Sequence, residues 1–342
     1  MAAYISFQPN DFFSPTLYTG NGSTQSITGV GFQPDFVWGK QRTDSGANFF
    51  MFDAPRGVTN IIESSSTAAT NTDVNSLTAF GADGFTLGTD AQVNENLKTM
   101  VSWNWKAGTT TGLTGGTITP SAYSINTTSG FGVYAYTGTG ATATIAHGLG
   151  VAPRFMMFKE LGGTAAWMVY QEDLGNGSAL ILNTNATKQN GSTYFNDTSP
   201  TSSVFTVGSN GQVNGSTQTY IAYVFANVKG YSKFSTYTGN GNADGPFVYT
   251  GFRPAFVMTK RYDSTSSWDI TDSKRGYNNS NFFLRTNGTY AEDTDGEQTL
   301  LSNGFKPETT NADSNASGGT YIYVAFAESP IVSSNDVPTV AR

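Results

Sequence analysis

The sequence predicts an all-β protein made of three tandem β-sandwich-like repeats, and three observations carry that expectation. A set of anchor residues recurs three times at near-constant offsets. Turn dipeptides of the Asn-Gly and Asp-Gly kind are frequent, among them Asn21-Gly22, Asp83-Gly84, Asn176-Gly177, Asn210-Gly211, Asn287-Gly288 and Asn303-Gly304. Asn and Asp tolerate positive φ and Gly prefers it, so such pairs suit hairpins. Aromatic residues reach 13% of the chain while charged residues are also only 13%. Few charges, many small polar residues and many aromatics favour strands joined by tight turns.

The anchors run as follows. Tyr-Thr-Gly begins at Tyr18, Tyr136 and Tyr237, and each is followed by Gly-x-x-Pro ending at Pro34, Pro153 and Pro254, so the Tyr-to-Pro spacing is 16, 17 and 17 by subtraction. Two residues past each proline stands a phenylalanine: Phe36, Phe155 and Phe256. Six past it stands a lysine: Lys40, Lys159 and Lys260. Trp167 and Trp268 recur 14 residues past their prolines, and Gly57, Gly175 and Gly276 follow at 23, 22 and 22. A phenylalanine precedes the last turn (Phe85, Phe205, Phe305), and each unit closes on a Thr-led apolar strand beginning at Thr99, Thr219 and Thr320. Recurrence at a fixed period marks a repeat architecture, and units of about a hundred residues match the size of a sandwich domain.

These offsets divide the chain into an N-terminal arm (1–16), repeat one (17–107), a Gly/Thr/Ser-rich linker (108–130), repeat two (131–228), repeat three (229–328) and a C-terminal tail (329–342). Apolar runs such as Phe36-Val37-Trp38 and Phe155-Met156-Met157-Phe158 follow the proline turns and read as short strands. Helical periodicity is absent.

Length and charge narrow the function classes. A chain of 342 residues buries a substantial core without a disulfide or metal staple. Cysteine is absent, which removes thiolate nucleophiles and Cys-ligated metals. The net charge of −7, without a basic stripe, argues against nucleic acid as a partner. Residues 1–15 lack a basic region followed by an apolar run, and no stretch of about 18 apolar residues occurs, so neither a secretory signal nor membrane insertion is expected.

Candidate chemistry is sparse. His147, the only histidine, is a possible general base; the alternative is a turn residue, since the other repeats carry no histidine there. Asp293-Thr294-Asp295-Gly296-Glu297 begins like a calcium loop, but Glu297 comes too early for the closing bidentate acid, so an acidic hairpin tip is the plainer reading. Glu63, Asp73, Glu160, Glu172 and Asp173 are available as a glycosidase pair, yet none recurs with a matching partner. The lysine series reads as strand-end residues guarding a sheet edge, with binding of an acidic glycan or a partner carboxylate as the rival. The five tryptophans, Trp38, Trp103, Trp105, Trp167 and Trp268, either stack on sugars or fill the core, and the recurrence of the last two favours packing. No catalytic residue, metal site or cofactor is expected. Tyr4, Phe7, Phe12 and Phe13 precede the first repeat and have no counterpart in the others. They are candidate assembly contacts, with folding back onto repeat one as the alternative.

The string Tyr18-Thr-Gly-Asn-Gly-Ser-Thr-Gln-Ser-Ile-Thr-Gly-Val-Gly-Phe-Gln-Pro-Asp-Phe-Val-Trp38 resembles a repeat family common in tailed phages, especially marine ones. The segments Ala82–Gly88, Asp244–Pro254 and Gly318–Glu328 are similar to the same family, as is the opening Ile5–Phe13. The resemblance covers nearly the whole chain. It implies a virion structural protein on the particle surface, a tail fibre or appendage contributing to host adsorption, with a capsid decoration or head-fibre protein and a glycan-degrading enzyme as alternatives. Other virion proteins, a host surface glycan or receptor, and further copies in a homo-oligomer are the partners it implies.

Overall fold

A computed structural model describes residues 7–275, 282–294 and 298–329, and the backbone of two short strands at 331–332 and 338–339. The chain is all-β, built of antiparallel sheets. The first stretch contains β1 (Phe13–Thr19), β2 (Gln25–Ile27), β3 (Phe36–Gln41), β4 (Phe50–Asp53), the short pair β5 (Asn60–Ile61) and β6 (Asn71–Thr72), β7 (Leu77–Gly81), β8 (Gly84–Leu87), the single turn α1 (Ala91–Asn94) and β9 (Thr99–Trp105). The second contains β10 (Ala122–Asn126), β11 (Phe131–Thr137), β12 (Ala143–Ala146), β13 (Phe155–Glu160), β14 (Met168–Gln171), β15 (Ser178–Ile181), β16 (Gln189–Asn190), β17 (Val204–Val207), α2 (Gly211–Asn214) and β18 (Thr219–Phe225). The third contains β19 (Ser232–Thr238), β20 (Val248–Tyr249), β21 (Pro254–Arg261), β22 (Trp268–Asp272), β23 (Phe283–Arg285), β24 (Gln298–Leu301), β25 (Gly304–Pro307), α3 (Ala312–Asn315) and β26 (Thr320–Ala327). Two tail strands, β27 (Ile331–Val332) and β28 (Pro338–Thr339), pair with each other.

One strand order recurs in the three stretches. The large sheets run β1-β9-β3-β4, β11-β18-β13-β14 and β19-β26-β21-β22, the second extended by β10 at one edge and by β15 and β16 at the other, the third by β23. Each faces a smaller sheet: β2-β8-β7, β12-β17 and β20-β25-β24. The register is equivalent. Phe36 lies opposite Trp105 and Asp53, Phe155 opposite Phe225 and Gln171, and Phe256 opposite Phe326 and Asp272.

A strand's side chains alternate between two faces, and here both faces of the large sheets are buried. On β9, Val101, Trp103 and Trp105 join one cluster that unites all three units through Phe36, Phe155, Phe256, Phe225 and Phe326. The opposite face of the first large sheet, with Val37, Phe50 and Phe52, packs with Phe85 and Leu87 of the small sheet. The corresponding second and third cores lie around Phe158 and Phe205, and around Val257 and Phe305. The units are therefore sandwiches whose large sheets share a central aromatic core. Burial on both faces explains why these strands read as continuous apolar runs, as in Phe49-Phe50-Met51-Phe52, rather than as alternating ones. Gly39 permits a close approach within the first sheet, since a Cβ there would lie 2.3 Å from the Phe50 ring.

The segments after β4, β14 and β22 close the three units into a ring. Thr70 N–H donates to Leu161 O (2.9 Å), Lys188 N–H to Tyr262 O (3.1 Å) and Glu292 N–H to Arg42 O (2.9 Å). Each unit thus laps over the next, and the third laps back over the first.

Two expected boundaries change. Residues 108–130 do not form a free linker: β10 extends the second large sheet, Thr109 bridges Ile125, and Thr117 and Ile118 N–H groups donate to Thr144 O. Buried Asp35 also ties this stretch to the first unit, accepting from Ser124 Oγ (2.7 Å) and Ala107 N–H (2.8 Å). A Gly/Ser/Thr-rich composition marks irregular backbone, which here is pinned by hydrogen bonds. The arm is likewise shorter than expected, because β1 begins at Phe13 and pairs with β9 over its whole length.

Candidate functional site

Polar side chains are buried inside the units and at their borders, and the recurring lysines are among them. Lys40, Lys159 and Lys260 are fully buried, which corrects their expected place at an exposed strand end. The strands that carry them lie inside their sheets, with neighbours on both sides, so there is no edge to guard. Each ammonium instead donates to backbone carbonyls. Lys40 Nζ reaches Ala47 O (2.6 Å), Lys159 Nζ reaches Ala165 O (3.0 Å) and Thr67 O (3.1 Å), and Lys260 Nζ reaches Ser266 O (2.6 Å) and Asn185 O (3.3 Å). Thr67 and Asn185 belong to the overlapping segments of the preceding units, so two of the lysines clamp a unit border. Burial pushes all three ammonium groups down to about 8.

Two ion pairs repeat the theme. Asp53 Oδ2 accepts from Arg56 Nε (2.6 Å) and from Tyr223 OH of the second unit (2.7 Å). Asp272 Oδ2 accepts from Arg275 Nε (2.5 Å) and from Trp103 Nε1 of the first unit (2.9 Å). At the third border the corresponding residues are Gln171, whose uncharged amide bonds Asp173 and Leu174 of its own unit, and Val324, which has no donor. Trp167 Nε1 donates to Glu63 O (2.8 Å) and Trp268 Nε1 to Ile181 O (2.9 Å), again across borders. All five tryptophans are buried, so they fill the core.

Of the remaining candidates, His147, Glu63, Asp73, Glu172 and Asp173 are each engaged by other partners. His147 is buried in a turn, accepting Leu149 N–H at Nδ1 (3.1 Å), which leaves Nε2 to donate to Thr201 O (3.0 Å). Burial lowers its pKa, and the ring stays neutral as a turn support. Glu63 accepts from Gln92, Asp73 caps Asn75 N–H, Glu172 bonds Tyr170 OH and Asp173 pairs with Arg154. Glu160 lines a polar cleft of about 510 Å³ with Gln212, equivalent to one of about 340 Å³ lined by Gln41 and Gln92 in the first unit. Asp293 pairs with Arg285 (3.3 Å), while Asp295, Gly296 and Glu297 lie outside the described residues. Among the described residues no cluster of acidic and histidine side chains is placed to hold a metal ion, and no helix is long and apolar enough to cross a membrane.

Among the N-terminal aromatics Phe13 is buried, a correction to its expected role as an assembly contact, while Phe7 and Phe12 are half-buried against the shared core. Phe13 is buried between Trp105 (4.9 Å between ring centroids), Phe326 (5.0 Å) and Phe256 (5.9 Å). Phe7 and Phe12 contact each other (5.0 Å) and Tyr231 (5.5 and 6.4 Å). The physical reason is the large apolar gap at the end of the shared core, which these rings fill. Tyr4 lies outside the described residues. The two ends of the ring meet nearby, where Asn10 N–H donates to Ser329 Oγ (3.0 Å).

Buried asparagines were missed at the sequence level. Asn94, Asn214 and Asn315 end the three helical turns, and each Nδ2 donates to two carbonyls: Ser23 and Gly88, Ala141 and Gly208, Asn242 and Thr309. The signal was present, since each lies five residues before its Thr-led strand.

An exposed aromatic pair lies beside a groove in the third unit. Phe247 and Tyr249 are 50% and 57% exposed, on the outer face of β20, while Val248 and Thr250 between and after them are buried. Tyr249 borders a groove of about 440 Å³ with Asn227, Lys229, Ser232, Lys233 and Thr250.

Fold and interior together define an all-β protein in which three sandwich units close around one aromatic core. The chain belongs to the family described as "Domain of unknown function (DUF7483)", whose model matches residues 8–330 and so takes in the whole ring. No curated protein matches it.

Proposed function

We propose that this protein is a structural protein of the virion surface of a tailed phage, a tail fibre or appendage that contributes to host adsorption. The observation that carries the reading is the closed ring itself. Lys159, Lys260, Asp53, Asp272 and the indole N–H groups of Trp103, Trp167 and Trp268 are spent on holding one unit to the next. Such a body is rigid and offers its surface, rather than its interior polar groups, for contact. The similarity of the Tyr18–Trp38 string to phage repeats supports the same reading. The partners in this proposal are other virion proteins, further copies of the chain and a host surface glycan or receptor.

The test is immunogold labelling of purified particles with antibody against the protein, together with adsorption assays in which free protein competes. Label on the tail and blocked adsorption are expected. Label confined to the capsid would move the protein to a decoration role, and unlabelled particles would overturn the virion reading. Release of reducing sugar from host polysaccharide would replace it by an enzymatic one.

A further inference from the structure

The aromatic pair beside the groove recurs in neither of the other units. Strand pairing aligns Val248 with Ile27 and Ile145, because these three lie opposite Phe305, Phe85 and Phe205. Phe247 and Tyr249 therefore take the places of Ser26 and Thr28 in the first unit and of Thr144 and Ala146 in the second. In the second unit the corresponding strand is also covered, by Thr117 and Ile118. Only the third unit sets two aromatic rings, two residues apart, on an open strand face.

The pair is held in place. The Phe247 ring rests on Gly304, where an added Cβ would lie 2.9 Å from Cε2. Lys233 Nζ donates to Tyr249 O (2.7 Å) and sits 5.2 Å from the centre of the Tyr249 ring. That bond bears on what the site accepts. Thr250 N–H bonds Asn303 O, and the ladder alternates, so Tyr249 turns its own backbone groups outward from β25. The lysine lies across that outward carbonyl, as edge-protecting lysines do, and stands in the way of an added peptide strand.

We propose that Phe247, Tyr249 and the adjoining groove form a binding site for an acidic saccharide; this rests on the host-adsorption reading and names its ligand class. A sugar ring has an apolar C–H face and a polar rim. Exposed aromatic rings match the face, and the Asn227 amide NH2 with the two groove lysines supplies donors for the rim, the Ser232 and Thr250 hydroxyls being engaged with Ala226 O and Phe252 O. The charged residues of the groove are both lysines, Lys229 and Lys233, in a chain whose net charge is −7. Local positive charge on a negative protein selects an anionic ligand.

The experiment is calorimetric titration of the full chain with alginate oligosaccharides, and with neutral dextran oligosaccharides of matched length. The double variant Phe247→Ser with Tyr249→Thr installs the residues of the first unit, and Lys229→Gln alters an exposed position. Alginate is expected to bind, more weakly as salt rises. The double variant should lower the affinity about tenfold or more, and Lys229→Gln should lower it severalfold with a shallower salt dependence. No alginate binding by the unaltered chain, or equal binding by both variants, overturns the site; dextran binding as tight as alginate overturns its anionic character. Failure of the virion reading is separable: protein absent from particles that still binds alginate through these residues sinks that reading and leaves the site standing.

Discussion

Replacing Tyr223 by Phe tests whether the ring is held by specific polar contacts across its borders. Tyr223 and Asp53 are both fully buried, and Asp53 keeps Arg56 as its second partner. Burial first, and the Asp53 carboxylate next, hold the phenol well above its ordinary pKa, so the hydroxyl is a permanent donor. Losing a hydrogen bond to a charged group costs about 1.5–3 kcal/mol. Asp53→Asn is harsher, since it leaves the Arg56 guanidinium buried without its counter-charge, at about 3–5 kcal/mol. The two changes share one network, so their sum should exceed the double variant by about 0.5–3 kcal/mol. Urea unfolding of the four proteins, followed by tryptophan fluorescence, measures the cycle. Additive effects, or a Tyr223→Phe variant as stable as the parent, would refute the border assignment.

Two further outcomes follow from the same interior. Phe13→Ala should cost about 3–5 kcal/mol, as for any large ring removed from a packed core, and deletion of residues 1–15 should broaden or abolish the cooperative thermal transition seen by circular dichroism; an unchanged transition would place the arm outside the core. Stability should rise as pH increases from about 8 to 9.5, because Lys40, Lys159 and Lys260 titrate near 8 when folded and near 10.4 when unfolded, so the unfolded chain holds more protons in that window. Each group contributes at most about 1.4 kcal/mol per pH unit, reduced by solvent screening. Above about pH 10 the trend reverses, since buried tyrosines such as Tyr136 and Tyr231 resist the ionisation that the unfolded chain undergoes. Melting temperatures across this range, with a Lys159→Met, Lys260→Met double variant that flattens the rise, provide the check.

What the sequence determined by itself was local. The hairpin turns at Asp83-Gly84 and Asn303-Gly304, the proline-led apolar runs and the Thr-led closing strands were legible because turn chemistry and strand length are set by neighbours in the chain, whereas Asn210-Gly211 opens the helical turn α2 instead of a hairpin. The equivalence of Phe36, Phe155 and Phe256 was legible too, since constant spacing fixed a constant register. The tertiary structure alone decided which way those strands face. A run such as Phe49-Phe50-Met51-Phe52 is apolar on both sides, and its pattern is the same whether one face meets solvent, its own small sheet or two neighbouring units. Lys40, Lys159 and Lys260 were misplaced for a related reason: a lysine at a strand end has the same sequence signature at a sheet edge as inside a sheet, and strand order is non-local. The N-terminal aromatics had no repeat counterpart because they fill a gap that exists only where Trp105 and Phe326 come together. Phe247 and Tyr249 carried no distinguishing signal either. They alternate with buried residues as core aromatics do, and only the position of β20 at the outside of its sheet, with Gly304 beneath Phe247, leaves their rings in water.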